Sequence, residues 1–340
     1  MTGRQVGIVH PGAMGARVAA QAVAAGATVR RVPEGRSDAS RERAAEAGLC
    51  PAGDPAELTA ACDVVLSGCP PAAALDVARQ VAATGFRGVY AGANAVSPRR
   101  MAEISEVFGA AGTTVVDGGI TGPPPRTAGT TRLYLSGPAE AVARVWALFT
   151  GALLAPRPLP GPVGRASALK LAFAACTEVS HALAAQALAL AEGHEVGGEL
   201  PELAGRSLPG TPLAQSGQPA GAGPRAWRRE PGMREIRTAR HDTGLPGTFA
   251  DAAAETFARW AAHKDDGTVT GARLVALLAG DDDGRPAQAR SPRAGHTGST
   301  GRVLPPGQAA PARPRAPRPG PPGVLRLTRR PGRAGAGAVS

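Results

Sequence analysis

Two stretches of this sequence hold residue types that could do chemistry. The first is His10-Pro11-Gly12-Ala13-Met14-Gly15, which follows the apolar run Val6–Val9. After it, Val18, Ala19, Ala22 and Val23 recur at the spacing of a helix packed on a sheet. A buried strand that stops in a glycine-rich turn and opens a helix aims free N–H groups and the positive helix end at one point. That point suits a phosphate. The dinucleotide pattern G-x-G-x-x-G is met at its second and third glycines. Gly12 lets the backbone approach a pyrophosphate, and Gly15 lets the helix pack closely. His10 stands where the first glycine would, and His10, Pro11, Gly12, Ala13, Met14 and Gly15 together are the candidate phosphate cradle. On this hexapeptide alone, a strand–turn–helix unit that binds nothing is the alternative.

The second stretch surrounds a lysine. The chain has 36 Arg and only two Lys, Lys170 and Lys264. Lys264 lies in His263-Lys264-Asp265-Asp266, a solvated helix end that needs no special role. Lys170 is flanked by Ala168, Leu169, Leu171, Ala172 and Phe173. Desolvation in an apolar helix lowers a lysine's pKa, so it can act as a general acid or base, which Arg cannot. The competing reading is a lysine that snorkels from a helix end. Ser167, Lys170, Ala174, Thr177 and His181 share its helical face. His181 lies about 16 Å along the axis from Lys170, so it is expected to be a satisfied polar residue of a core rather than a proton partner.

A strand-and-helix alternation must position these groups. Strands are expected at Val6–Val9, Thr28–Val32, Asp63–Ser67, Gly88–Ala91, Thr113–Asp117 and Leu133–Ser136, separated by helices, with Gly118–Pro125 as a loop. This predicts an α/β fold with a doubly wound, Rossmann-type parallel sheet over residues 1–160. Its ligand would lie at the carboxyl ends of the strands. The loops there put Pro70 and Asn94 against the cofactor, with Asn94 also in reach of the substrate. After the strand at Thr28–Val32 the segment Glu34-Gly35-Arg36-Ser37 chooses the cofactor. Glu34 would hold a ribose hydroxyl, but Arg36 and Ser37, with Arg31 nearby, better fit the 2′-phosphate of NADP than NAD. From residue 161 to 280 the pattern turns all-helical, with a long helix at Ser167–Glu192, helices at Phe249–His263 and Thr270–Ala279, and a loose loop at Gly205–Pro224.

The net charge of +11 invites a nucleic-acid reading, yet +8 of it falls in residues 281–340, which hold 11 Arg, 3 Asp, 11 Pro, 10 Gly and no aromatic residue. Such a segment reads as a disordered tail, and no nucleic-acid partner is expected. Cys50, Cys62, Cys69 and Cys176 show neither a disulfide framework nor metal-ligand spacing, so no metal is expected. No leader is read at the amino terminus. The Ala-rich segment after Ser167 is interrupted by Lys170, Glu178 and His181, so no membrane partner is expected and a cytoplasmic protein is predicted.

Taken together the motifs resemble the β-hydroxyacid dehydrogenase superfamily, which includes the 6-phosphogluconate and 3-hydroxyisobutyrate dehydrogenases. The shared order is a dinucleotide fold, a substrate loop of form Asp-x-x-Val-Ser-Gly, here Asp117-Gly118-Gly119-Ile120-Thr121-Gly122, and a helix with the catalytic lysine, here Lys170. The His-Pro-Gly-x-Met-Gly turn, Asn94–Pro98 and Ala168–Ala172 resemble a branch whose phosphogluconate-dehydrogenase-like helical domain has no assigned function. The resemblance covers about residues 4–280. It implies hydride transfer between NADP (NADPH) and a small hydroxy or keto acid, with Lys170 as acid/base and Thr121 and Gly122 on the substrate. It also implies a homodimer, because members bury this helical region against a second subunit. Imine reduction and a catalytically silent NADP-binding protein are the alternatives. Three positions depart from the family pattern: Ala174 replaces the usual Asn, Thr121 the usual Ser, and Pro123 a Gly.

Overall fold

Short apolar runs alternate with amphipathic segments from the start of the chain. β1 (Gln5–Val9) leads into α1 (Ala13–Ala24), then β2 (Thr28–Arg31), α2 (Asp38–Glu46), β3 (Cys50–Pro51) and α3 (Pro55–Ala60). β4 (Val64–Ser67), α4 (Ala74–Ala83), β5 (Val89–Gly92) and α5 (Pro98–Phe108) continue the pattern. β6 (Thr114–Thr121), β7 (Arg132–Ser136), α6 (Ala139–Ala147) and β8 (Ala155–Pro158) complete it. The computed structural model describes residues 4–109, 112–215 and 218–279, and the tail expected at 281–340 lies outside the described residues.

The eight strands run in the order β3-β2-β1-β4-β5-β6-β7-β8. All pairings are parallel except β6 with β7. Strand alternation divides the side chains between two cores. Val64 and Leu66 join Val6, Ile8, Ala19, Ala22, Val145 and Phe149 on one face. Val65 joins Leu58, Val77, Met101, Ile104 and Phe108 on the other. With helices on both faces, the central strands β4 and β5 are buried throughout, and β1 is buried at its three middle residues, whereas the edge strands β3 and β8 are partly or fully exposed. β6 runs on through Gly118–Thr121, where a loop was expected. Pairing with β7 in register from Asp117 opposite Ser136 to Thr121 opposite Arg132 keeps it extended.

Beyond the sheet come α7 (Arg165–Gly193), α8 (Glu199–Ser207), α9 (Gln218–Ala222), α10 (Ala226–Asp242), α11 (Thr248–Arg259) and α12 (Gly271–Leu278). Their third core gathers Leu171, Ala174, Ala182, Met233, Ile236, Phe257, Trp260 and Leu274. The loose loop expected at Gly205–Pro224 is mostly short helical turns among its described residues, and it leads into α10, which the periodicity did not suggest. α10 holds Pro231 inside it and is strongly charged, so no local pattern marks it as a helix. Packing of Met233 and Ile236 into the third core overrides that weak propensity. Lys264, expected to be idle, lies 4.4 Å from the ring centre of Trp227, and the next residue's N–H donates to the Pro224 carbonyl. The segment that follows α11 is thereby tied to the start of α10.

α7 is long and apolar enough in composition to cross a membrane. Here its first turn is fastened to the sheet and its sides pack on α10, α11 and β6. Leu183 and Leu190 on its outer side are each 64 % exposed, and Phe173 is 49 % exposed.

Candidate active site

The turn after β1 adopts the geometry that its sequence suggests, with one substitution in its logic. His10 has φ 59°, the left-handed region in which a glycine would be unstrained. Its imidazole is fixed by Arg36, whose two terminal nitrogens lie 2.5 Å from Nδ1 and 3.3 Å from Nε2. A neutral imidazole has one acceptor nitrogen, so only one of these two contacts is a hydrogen bond from Arg36, and which one depends on the tautomer. Burial, and then the Arg36 charge, lower the His10 pKa to about 4, which keeps the ring neutral at pH 7.

Gly12 caps α1 without any side-chain bond, and the first turn of α1 carries no acid. A Cβ built on Gly12 would meet nothing within 4 Å, whereas one on Gly15 would come to 3.3 Å from the His10 carbonyl oxygen. Open space at Gly12 next to unpaired first-turn N–H groups is what a pyrophosphate needs. Ser37 caps α2 with its hydroxyl free of the α2 backbone, and its Oγ donates to Ser40 Oγ at 3.2 Å. Arg36 and Ser37 thus stand together at a second helix start. Arg31 does not join them: it is buried in β2, with Nε and Nη1 lacking hydrogen-bond partners among the described residues. An apolar slot between His10, Arg36, Val32, Leu58, Val77 and Val81 lies on this side of the turn. These residues fit a dinucleotide.

On the other side of the turn is a cavity of about 310 Å³ between the carboxyl edge of the sheet and α7 and α10. Met14, Pro70, Asn94, Gly122 and Lys170 line it together, although the sequence spreads them over 157 positions. Thr121, half-buried, is not part of this lining. Asn94 is buried and only loosely bonded, its amide and Ser67 Oγ lying 3.4–3.5 Å apart. Burial lowers the Lys170 pKa; Glu178 works against this, and Arg228 and Arg229 add to it. The rest of the wall escaped the sequence reading: Glu178 one turn beyond Ala174, and Arg225, Arg228, Arg229, Met233 and Ile236 from the start and middle of α10. The spacing of Arg229, Met233 and Ile236 is helical, a signal that Pro231 hid. His181, expected to be satisfied, has a buried Nδ1 with no partner among the described residues, and burial followed by Arg229 lowers its pKa.

What aims Lys170 is Asp117. In the antiparallel register Asp117 faces Ser136, so their side chains meet. The Asp117 carboxylate accepts from Ser136 Oγ at 3.1 Å, from the N–H groups of Gly164 and Ser167 at 2.9 Å each, and from Ser167 Oγ at 2.6 Å. Ser136 Oγ accepts from the Ala166 N–H at 3.0 Å. The free N–H groups of the first turn of α7 are therefore satisfied from the sheet, and the carboxylate sits at the positive helix end. Burial pushes the Asp117 carboxyl up, and these four bonds pull it back. Gly119 completes the fit: a Cβ there would come to 2.6 Å from the Ala166 carbonyl oxygen and 3.2 Å from Lys170 Cβ. α10 is held as well, since the Ser97 N–H donates to Glu235 at 2.7 Å and Arg99 pairs with Asp242.

Residues 5–152 match the family profile of the NAD-binding domain of 6-phosphogluconate dehydrogenase. No curated protein matches the chain by sequence. Among solved structures, 3-hydroxyisobutyrate dehydrogenase from Salmonella typhimurium superposes with a TM-score of 0.64 at 20% identity, over 81% of this chain and 99% of that one. The Mycobacterium tuberculosis 3-hydroxyisobutyrate dehydrogenase, solved with L-serine, gives 0.62 at 19%, over 82% and 99%. A reductive aminase from Aspergillus terreus gives 0.51 at 18%, over 82% and 99%. At these identities the likeness is one of fold, and it spans both the sheet and the helical region.

Proposed function

We propose that this chain, whose residues 5–152 match the NAD-binding domain of 6-phosphogluconate dehydrogenase, is an NAD(P)-dependent oxidoreductase of that type. It would transfer a hydride between NADP and a small hydroxy acid or its keto counterpart, with Lys170 as general acid/base. The observation that carries this reading is the meeting of Met14, from the dinucleotide turn, with Lys170 and Gly122 in one cavity. Bound there, the nicotinamide supplies or takes up the hydride. Lys170, whose amine burial favours over its ammonium, takes the hydroxyl proton in oxidation and returns it to oxygen in reduction. The Gly122 N–H and the Asn94 amide orient the substrate's carboxylate, and Thr121, which lies outside the cavity lining, takes no part. Imine reduction is the second reading, favoured by Ala174, which offers no amide to a carboxylate. Screening hydroxy acids, keto acids and cyclic imines by NADPH absorbance decides between them. Tight NADPH binding without turnover of any would leave a binding protein.

Arg36 and Ser37 support the choice of NADP. NADPH is expected to bind about 10–100-fold more tightly than NADH, the worth of one or two charge-assisted hydrogen bonds. Arg36→Ala should remove most of that difference in a fluorescence titration. Equal affinities in the unaltered protein would return the site to Glu34 and NAD.

The exposed Phe173, Leu183 and Leu190 on α7 support a homodimer, since a second copy would cover them. Sedimentation at micromolar concentration is expected to give a mass twice that of the 34.1 kDa chain. The four cysteines are free thiols, which suits a cytoplasmic location.

A further inference from the structure

The cavity beside Lys170 carries more positive charge than a simple monocarboxylate would use. Arg225, Arg228 and Arg229 all line it, with Glu178 as the acid among the lining residues. That acid is already taken. Glu178 Oε2 lies 2.6 Å from Arg229 Nη1, and the Arg229 guanidinium sits 5.6 Å from the centre of the Phe257 ring. Arg225 and Arg228 make no hydrogen bond or ion pair among the described residues. The acids whose fields reach Arg228 are Glu178 and Asp265, opposed by Arg225 and Arg229. Arg225 and Arg228 are three residues apart where a single 3₁₀ turn enters α10, so they lie on one side of the chain. Arg225 and Arg228 are exposed, so they stand where the cavity opens to water, while Met14, Ile120, Leu171, Met233 and Ile236 are among its apolar lining. Two neighbouring guanidiniums without a protein partner leave their planar forks open to carboxylate or phosphoryl oxygens entering the cavity.

We propose that the substrate carries a second anionic group, carboxylate or phosphoryl, away from the carbon that exchanges hydride, and that Arg225 and Arg228 hold it. This rests on the redox reading of the Lys170 site and narrows it to hydroxy or keto acids with two anionic ends. A neutral imine would leave both cations unused.

The test separates the two claims by measuring binding. With the full-length protein saturated in NADPH, so that the dinucleotide's own phosphate sites are filled, inorganic phosphate, glutarate and acetate are titrated by calorimetry. Phosphate or glutarate is expected to bind at least about tenfold more tightly than acetate. Arg225→Gln and Arg228→Gln should each weaken that binding by about tenfold, near 1.4 kcal/mol, and together should abolish the preference. NADPH affinity and Tm should stay unchanged in both variants. Preference for phosphate identifies a phosphorylated substrate, and preference for glutarate a dicarboxylate. Arginine-dependent binding without turnover of any hydroxy or keto acid would keep the anion site and remove the redox reading. Absence of divalent-anion binding, or binding indifferent to both substitutions, overturns the anion site whatever the turnover.

Discussion

Lys170→Ala is expected to lower kcat by about 10²–10⁴-fold, the usual worth of a positioned acid/base group, with NADPH affinity and thermal stability nearly unchanged. Lys170 lines the cavity, and the atom that approaches Gly119 is its Cβ, which the alanine keeps. Lys170→Arg should be almost as inactive, because a guanidinium keeps its proton near neutral pH. The pH profile carries a second signature. Burial lowers the Lys170 pKa, so its neutral, proton-accepting form is reached at lower pH than for a lysine in water. kcat/KM for oxidation should therefore rise with pH through a step below the ordinary lysine value, and Lys170→Ala should flatten it. A Lys170→Arg enzyme with full activity would leave the residue as a charge that only orients the substrate.

Asp117→Ala is expected to cost about 3–5 kcal/mol in urea denaturation, the range for stripping the acceptor from a buried charged network. The loss follows from what is left behind: two backbone N–H groups and two serine hydroxyls with no acceptor in a dry site. Asp117→Asn keeps one acceptor oxygen but turns an amide N–H₂ toward donors, so about 1–3 kcal/mol is expected. In whatever fraction stays folded, kcat should fall with NADPH affinity retained, since α7 would be freed while the Gly12 turn is untouched. An Asp117→Ala protein as stable as the parent would show that α7 is fastened by its apolar contacts alone.

The difference between these two residues shows what a sequence can reveal. Lys170 is legible because the anomaly is local: a lone lysine in an arginine-rich chain, set among apolar neighbours. The Gly12–Gly15 turn is legible for the same reason, since strand, turn and helix are consecutive. Asp117 reads as the start of a substrate loop because its partners, Gly164 and Ser167, are 47 and 50 residues away and meet it only through the β6–β7 pairing. The arginines of α10 stayed hidden for another reason. Pro231 and Gly232 interrupt the helical pattern that would have put Arg229, Met233 and Ile236 on one face, and only packing against α7 and α11 restores it. Local chemistry was legible, then, and the contacts that aim it were not.

The Asp117 anchor also imposes an order on folding. Its acceptor and donors lie on β6, on β7 and in the first turn of α7, so it cannot form until both strands are paired. Closing that span is an entropic cost which no neighbouring contact repays early. α7 can coil by itself on its Ala and Leu residues. Until the sheet is complete, however, it would be an apolar helix with nowhere to dock. A refolding chain should therefore acquire much of its helix signal before Lys170 is aimed, and the lag between ellipticity and activity would measure how long this anchor takes to close.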